Sequence, residues 1–298
     1  MSKPTRRDAV KFLTLSLLGA KCAESWELAP PRIEIDALTR GIPPRPLQAI
    51  TGSQFAEQVR QIDSAQREQA ILSEVLEGNL PPFLRALAPV EFQYRPAGGK
   101  AITATVFVMP DYLAIGSDQD FLRIPMNLYT AVAIAARFGF VLPTRKMVDA
   151  IYDQSVYHFA PQPLPAGPQM RSTDYYRIHN GLIEKQSLTR GFPSGPLVSG
   201  HKKDVVNTNR LTRNPGQIAI YGWHRATGDP IQPLSTVHGA RYADYSHGIR
   251  LISETAILDG KPHSLNSILQ DAVLANVLSD EGPIRMLPEV MMASRLRM

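Results

Sequence analysis

STVHGARYADYSHGIRLISETAIL, residues 235–258, has the β-branched and aromatic content of strands, and the fold class turns on it. Two shorter runs before it read the same way: LVSGHKKDVVNT at 197–208 and QIAIYGWHR at 217–225. Short polar turns separate them, among them Ala-Thr-Gly-Asp-Pro at 226–230. Connections of that length favour antiparallel pairing. Further upstream, EFQYR and KAITATVFVMP form a hairpin across Pro-Ala-Gly-Gly, and YLAIG and DFLRIPM a second across Ser117-Asp118. Helices come earlier: QFAEQVRQI with Ser53 as cap, then a longer one capped by Ser64 with Ile71, Val75 and Leu76 on one face and Gly78-Asn79 at its end. NLYTAVAIAARF, stopped by Gly139, and TRKMVDAIYDQ, begun by Thr144, are two more. A last helix, SLNSILQDAVLANVL, is capped by Ser264, with Ile268, Ala272 and Val273 inward. Without a βαβ alternation, this order predicts an α+β fold: N-terminal helices and hairpins, then a largely antiparallel, β-rich C-terminal half.

The first part of the same stretch, residues 235–251, also concentrates chemistry. It holds His238, Tyr242, Asp244, Tyr245 and His247, with Arg241 and Arg250 beside them. If 238–246 is extended, His238, Tyr242, Asp244 and Ser246 share one face, opposite Arg241, Tyr245 and His247. Gly239 and Gly248, each following a histidine, allow a bend that returns His247 to the first set. A His–Asp pair is the usual way to fix an imidazole tautomer and raise its basicity. Tyr242 then serves as acid or donor, and Arg250 as an anion clamp. In GHKKDVV, His201 and Asp204 frame Lys202-Lys203 just after Gly200 and are expected to complete the site. His224 ends an apolar strand row and reads as a core or rim residue. His158, His179 and His263 sit in loop-like or helix-start surroundings and are set aside. Arg145 and Lys146 stand at a helix N-terminus, where positive charge opposes the helix dipole.

The run from His238 to Leu251 resembles two families. L,D-transpeptidases carry His-Gly and then a Ser-His-Gly-Cys-Ile-Arg-like run; here His238-Gly239 is followed by Ser246-His247-Gly248-Ile249-Arg250 with the nucleophilic cysteine missing. Without a thiolate that family's mechanism does not run, so none of its residue roles is carried over. Zinc D-alanyl-D-alanine peptidases use Ser-x-His-x-x-Gly-x-Ala-x-Asp plus a later histidine. The residues from Ser235 to Asp244 have these types at shifted spacing. His238, Asp244 and a third histidine, His247 or His201, have the donor chemistry of an open zinc site, though no HExxH or HxH pair occurs.

Composition narrows the setting. Residues 1–23 resemble a twin-arginine export signal, with Arg6-Arg7, an apolar run from Phe12 to Ala20 and Lys21 after it. The only cysteine, Cys22, lies there, so the exported chain would lack disulfides, thiolate metal sites and cysteine nucleophiles. The chain's formal charge is +5; residues 1–23 hold five basic and one acidic side chain, +4, which leaves +1 for the remainder. Such a balance gives no support to nucleic-acid binding or a membrane-surface role. No run after Ala20 is apolar for long enough to span a bilayer. Residues 24–50 are a proline-rich lead-in, and 51–298 a single α+β domain or two subdomains meeting near 160–169. Oligomeric state is not encoded in any feature of the sequence.

The expectation is an exported, periplasmic or secreted hydrolase acting on a polar, anionic small-molecule or cell-wall-derived substrate. His238, Tyr242, Asp244, His247, His201 and Asp204 would be its catalytic residues, with Lys202, Lys203, Arg241 and Arg250 holding substrate. A polysaccharide lyase with a Tyr or His base and an Arg neutraliser, or a non-catalytic periplasmic binding protein, uses the same residue types.

Overall fold

The computed structural model describes residues 34–191 and 194–285; residues 1–23, with Cys22, and most of the proline-rich segment before Glu34 lie outside them. The described residues belong to one compact unit. They form an α+β fold whose strands are concentrated in the C-terminal half.

Two sheets organise it. In the first, the order is Lys261–Ser264, Thr255–Leu258, Ile102–Val108, Ile252–Ser253, Phe140–Val141, with Ala88–Tyr94 also pairing to Ile102–Val108. Every pair in it is antiparallel. The second runs Pro230–Gly239, Gln217–His224, Lys203–Val205, His247–Gly248, and its last pair is parallel. A short hairpin of Ala114–Gly116 with Phe121–Arg123 stands apart.

Helices cover these sheets because their apolar faces have nowhere else to go. Gly52–Gln58, Ser64–Leu76 and Leu128–Phe138 bury Phe55, Ile71, Val75, Leu128 and Ile134 in a core shared with Leu113, Ile115, Ile218, Ile220 and Leu251. Arg145–Gln154 packs Met147 and Ile151 against Val90, Val106 and Ile252 of the first sheet. The caps differ by a residue or two from the sequence expectation. Thr51 and Asp63, not Ser53 and Ser64, close the first two helices, since each can form a reciprocal box with a glutamine three residues on. Arg145 and Lys146 are tied to the C-terminal region: Arg145 pairs with Asp280, and Lys146 donates to the Asn276 carbonyl at 2.6 Å.

Two elements correct the sequence reading. Thr173–Arg190 is an eighteen-residue helix where residues beyond 170 were expected to be mostly strand. Ser172 caps it and Gly191, at φ 65°, ends it. Its inward stripe is Thr173, Tyr176, His179, Asn180 and Ile183, spaced as one helix face but more polar than apolar, so hydrophobic periodicity cannot reveal it. The last expected helix is broken in two at Asp271, whose carboxylate accepts from the Val273 and Leu274 amides; Val273 consequently faces outward. Among the described residues no helix is long and apolar enough to cross a membrane.

Candidate functional site

The strand Pro230–Gly239 ends just after His238, and residues 240–246 form a loop, not the extended run that the alternation argument requires. The loop still brings the expected side chains together. The His238 ring stacks on Tyr242 with centroids 4.1 Å apart and planes 13° from parallel. Tyr242 donates its hydroxyl proton to Asp244 Oδ2 at 3.0 Å. Asp244 Oδ1 accepts from the Ser246 amide at 2.8 Å and from the Ser246 hydroxyl at 2.6 Å, the short-range turn that Asp chemistry favours. His247 returns as part of a two-residue strand beside Lys203, its Nε2 3.9 Å from Asp244 Oδ2.

The local electrostatics keep these groups in distinct states. Burial opposes charge on Asp244, but His247 and the two Ser246 donors hold its pKa below the ordinary carboxylate value. His247 is fully buried and its pKa is pushed down to about 4 by burial, with Asp244 pulling the other way. At neutral pH the pair is therefore an ionised carboxylate beside a neutral imidazole. Neither His247 ring nitrogen has a hydrogen-bond partner. Tyr242 is raised to about 12, by burial and then by Asp244. His238 and Tyr242 are half-exposed and form the solvent-facing end of this chain of contacts.

Lys202 and Lys203 lie next to it. The Lys203 amide donates to the Ser246 carbonyl at 2.7 Å, and its ammonium sits 5.1 Å over the Trp223 ring. Lys202 is 1 % exposed, and its Nζ donates to the Tyr245 carbonyl at 2.6 Å. Burial, and then Arg123, lower its pKa to about 7.

His201 and Asp204 flank the lysines but engage a second set of partners. His201 Nε2 is 3.1 Å from Asp111 Oδ1, and Asp111 is also bridged to Arg123 at 2.7 Å. Burial would raise Asp111, yet Arg123 and His201 hold it far below the usual carboxylate range. An ionised Asp111 fixes the proton on His201 Nε2 and leaves Nδ1 bare. Arg123 reaches on to Glu184 at 2.5 Å and to the Asn180 amide oxygen at 3.3 Å. Asp204 Oδ2 accepts from Tyr112 at 2.8 Å. Burial raises its pKa to about 6. Gly248 permits this packing, because a Cβ there would come within 2.5 Å of the Tyr112 ring and 2.7 Å of Lys202 Cβ.

The two expected arginine clamps lie elsewhere. Arg250 is fully buried, donates to the Met109 and Val198 carbonyls at 2.9 and 2.7 Å, and lies 4.3 Å over Tyr112. It braces the frame. Arg241 is exposed and rests 5.1 Å over Tyr129. Thus His238, Tyr242, Asp244 and His247 form one group, with Lys202 and Lys203 against it. His201 and Asp204 belong to the neighbouring one. Among the described residues, no group of three or more His, Cys, Asp and Glu side chains is arranged to hold a metal ion, so His238, Asp244 and His247 or His201 do not assemble as a three-ligand set.

Asp111, Tyr112, Arg123, His179 and Trp223 escape sequence reasoning. The first three lie in the early strand region and meet the 201–250 segment only through the fold. His179 was set aside for lack of a recognised helix, and Trp223 was read as part of a plain strand. Comparison with protein-family models, with curated proteins and with solved structures finds no match.

Proposed function

We propose that the chain is an exported hydrolase for an anionic, extracytoplasmic substrate such as a cell-wall peptide, acting at the His238–Tyr242–Asp244–His247 group. One observation carries the reading: a fully buried, neutral imidazole with no hydrogen-bond partner stands 3.9 Å from a carboxylate whose oxygens are already fixed by Ser246 and Tyr242. In this scheme His247 takes a proton from the water that attacks the scissile carbonyl, Asp244 stabilises the resulting imidazolium, and that proton passes to the leaving amine as its C–N bond breaks. Lys203, whose charge is felt at both Asp244 and His247, would stabilise the tetrahedral oxyanion, and Lys202 would hold an anionic group of the substrate. The lyase alternative is less well served, because a tyrosinate base at Tyr242 is opposed by the same Asp244 that accepts its proton.

The test is incubation of the exported form with peptidoglycan fragments in ¹⁸O water. Label should enter a new carboxyl terminus, and His247→Gln should slow its appearance by about 10²–10⁴-fold, the usual worth of a general base. Unlabelled, ultraviolet-absorbing unsaturated ends would replace this reading by the lyase. Full labelling by His247→Gln would remove His247 from the chemistry.

A further inference from the structure

Lys202 carries a charge problem that its surroundings do not solve. Among the described residues no carboxylate oxygen lies within 4 Å of its Nζ, whose hydrogen bond goes to the Tyr245 carbonyl. Burial leaves its pKa at about 7, although Asp244 and Asp111 favour its charge without touching it, so an anion brought against Nζ would hold it charged. Around it stand further unsatisfied donors. The Trp223 indole N–H is buried without a partner, and both ring nitrogens of His179, itself 0 % exposed, are unpaired. The His179 ring is 5.1 Å from Tyr245 and 6.5 Å from Trp223, and Lys202 is among the charges that depress it.

The backbone adds an independent pointer. Trp223 has φ +58°, a left-handed conformation that a bulky side chain adopts only when the surroundings impose it. It follows Gly222, at φ +102°, inside the strand Gln217–His224, and its amide is fastened to the Lys202 carbonyl at 3.0 Å. The bend thereby joins the backbones of Trp223 and Lys202, with the indole beneath the Lys203 ammonium.

We infer that Lys202, His179 and Trp223 form an interior binding pocket for a carboxylate, the anionic group by which the hydrolase of the previous section holds its substrate. The Lys202 ammonium balances the single negative charge of a carboxylate, and the Lys203 ammonium, 5.1 Å over the Trp223 ring, adds to the positive field at the indole. The indole N–H and one imidazole N–H complete a set of donors for two oxygens. The nearby guanidinium groups of the described residues are engaged elsewhere: Arg123 is committed to Asp111 and Glu184, and Arg250 to backbone carbonyls. The inference rests on the hydrolase reading only for the identity of the anion's parent molecule, since the pocket can be tested without turnover.

The experiment is calorimetric and thermal titration of the whole exported chain with sodium acetate, at fixed ionic strength, with sodium chloride and sodium phosphate in parallel. Acetate should bind saturably and raise Tm, with chloride and phosphate weaker. Lys202→Met should weaken acetate by at least about tenfold, the least expected for loss of a charge-assisted hydrogen bond, and should raise the Tm of the anion-free protein because an unpaired buried charge is gone. Trp223→Phe, which keeps the ring and deletes the N–H, should weaken acetate without that gain. Acetate that neither binds nor protects would overturn the inference. So would a Lys202→Met variant that binds acetate normally, or one that is destabilised, which would make the lysine a strut for the Tyr245 carbonyl. Equal binding of chloride and acetate would make the pocket a general halide site and refute the carboxylate assignment. His247→Gln separates the two readings: if it abolishes turnover yet binds acetate, both stand, whereas acetate binding with no turnover by any form leaves the pocket and removes the hydrolase.

Discussion

Two neighbouring buried polar regions meet near the strand Lys203–Val205 and differ in character. One holds Asp111, Arg123, His201, Tyr112, Asp204 and Arg250, where every residue has a charged or hydrogen-bonding partner, although His201 Nδ1, Asp204 Oδ1 and Arg250 Nε make no hydrogen bond. The other holds Lys202, His179, Trp223 and His247, where an indole N–H and four imidazole nitrogens lack partners and the ammonium meets only a neutral carbonyl. Burial is the same in both, so desolvation is not what distinguishes them. Pairing is. A closed network stabilises once complete and has little left to offer a ligand, whereas an open one costs stability until something binds. The contrast places the frame in the first region and the chemistry in the second.

Breaking the closed region should give the largest effect. Arg123→Met leaves Asp111 buried with only His201 and the Tyr112 amide, and Glu184 without its 2.5 Å partner. A loss of about 3–5 kcal/mol is expected, as for other buried pairs stripped of one member. Urea unfolding measures it, and Asp111→Asn in the same chain should recover part of the loss. A cost below about 1 kcal/mol would mean that the network contributes no more than a surface ion pair.

Acid should act on both regions with a predictable sign. His201 and His247 have folded pKa values of about 4 against an ordinary 6.5, both lowered chiefly by burial, and His179 is lowered further still. Between pH 6.5 and 4 the unfolded chain therefore binds more protons at these positions, and stability falls as the pH falls. Each of the first two contributes roughly 3 kcal/mol at 1.36 kcal/mol per unit. Asp204, raised to about 6 by burial, works in the opposite direction over part of the same window, and Glu68 is raised as well. Three histidines at roughly 3 kcal/mol each outweigh Asp204, at about 3 kcal/mol in the other direction, and Glu68, so a net loss of roughly 3–6 kcal/mol should appear by urea unfolding at successive pH values. A profile that is flat or rises toward pH 4 would show that the imidazoles are not held neutral.

Much of this fold is legible without coordinates, and the reason is local. The hairpin from Ala88 to Val108, the stop at Gly139 and the cap at Thr144 depend on residues within a turn or two of one another. So does the gathering of His238, Tyr242 and Asp244, although a loop achieves it in place of strand alternation. The closed region is not local: Asp111 meets His201 across 90 residues and Arg250 meets the Met109 carbonyl across 141. Hydrophobic periodicity is silent about such partners. The helix Thr173–Arg190 could have been found from its ends, Ser172 with Asp174 at the start and Gly191 after it, but its buried Thr, His and Asn stripe conceals the middle. Trp223 has no sequence signature, since nothing in IAIYGWHR announces a left-handed tryptophan beyond the glycine before it.

The finest test applies one chemical change to each region. Tyr112→Phe deletes the 2.8 Å hydrogen bond to Asp204 Oδ2; Asp204 Oδ1 already lacks a partner, and Arg250 Nε stays 3.9 Å away. That leaves a fully buried carboxyl without a hydrogen bond, at a cost of about 1–3 kcal/mol. Tyr242→Phe deletes a 3.0 Å bond to Asp244, but the two Ser246 donors remain and the ring keeps its stack on His238. Its half-exposed hydroxyl should be worth only about 0.5–1.5 kcal/mol. The smaller stability loss should come with the larger functional one, because Tyr242 touches the proposed reaction centre and Tyr112 does not. Should Tyr242→Phe prove the more destabilising of the two, or Tyr112→Phe the more damaging to turnover, the division into frame and reactive region would be drawn in the wrong place.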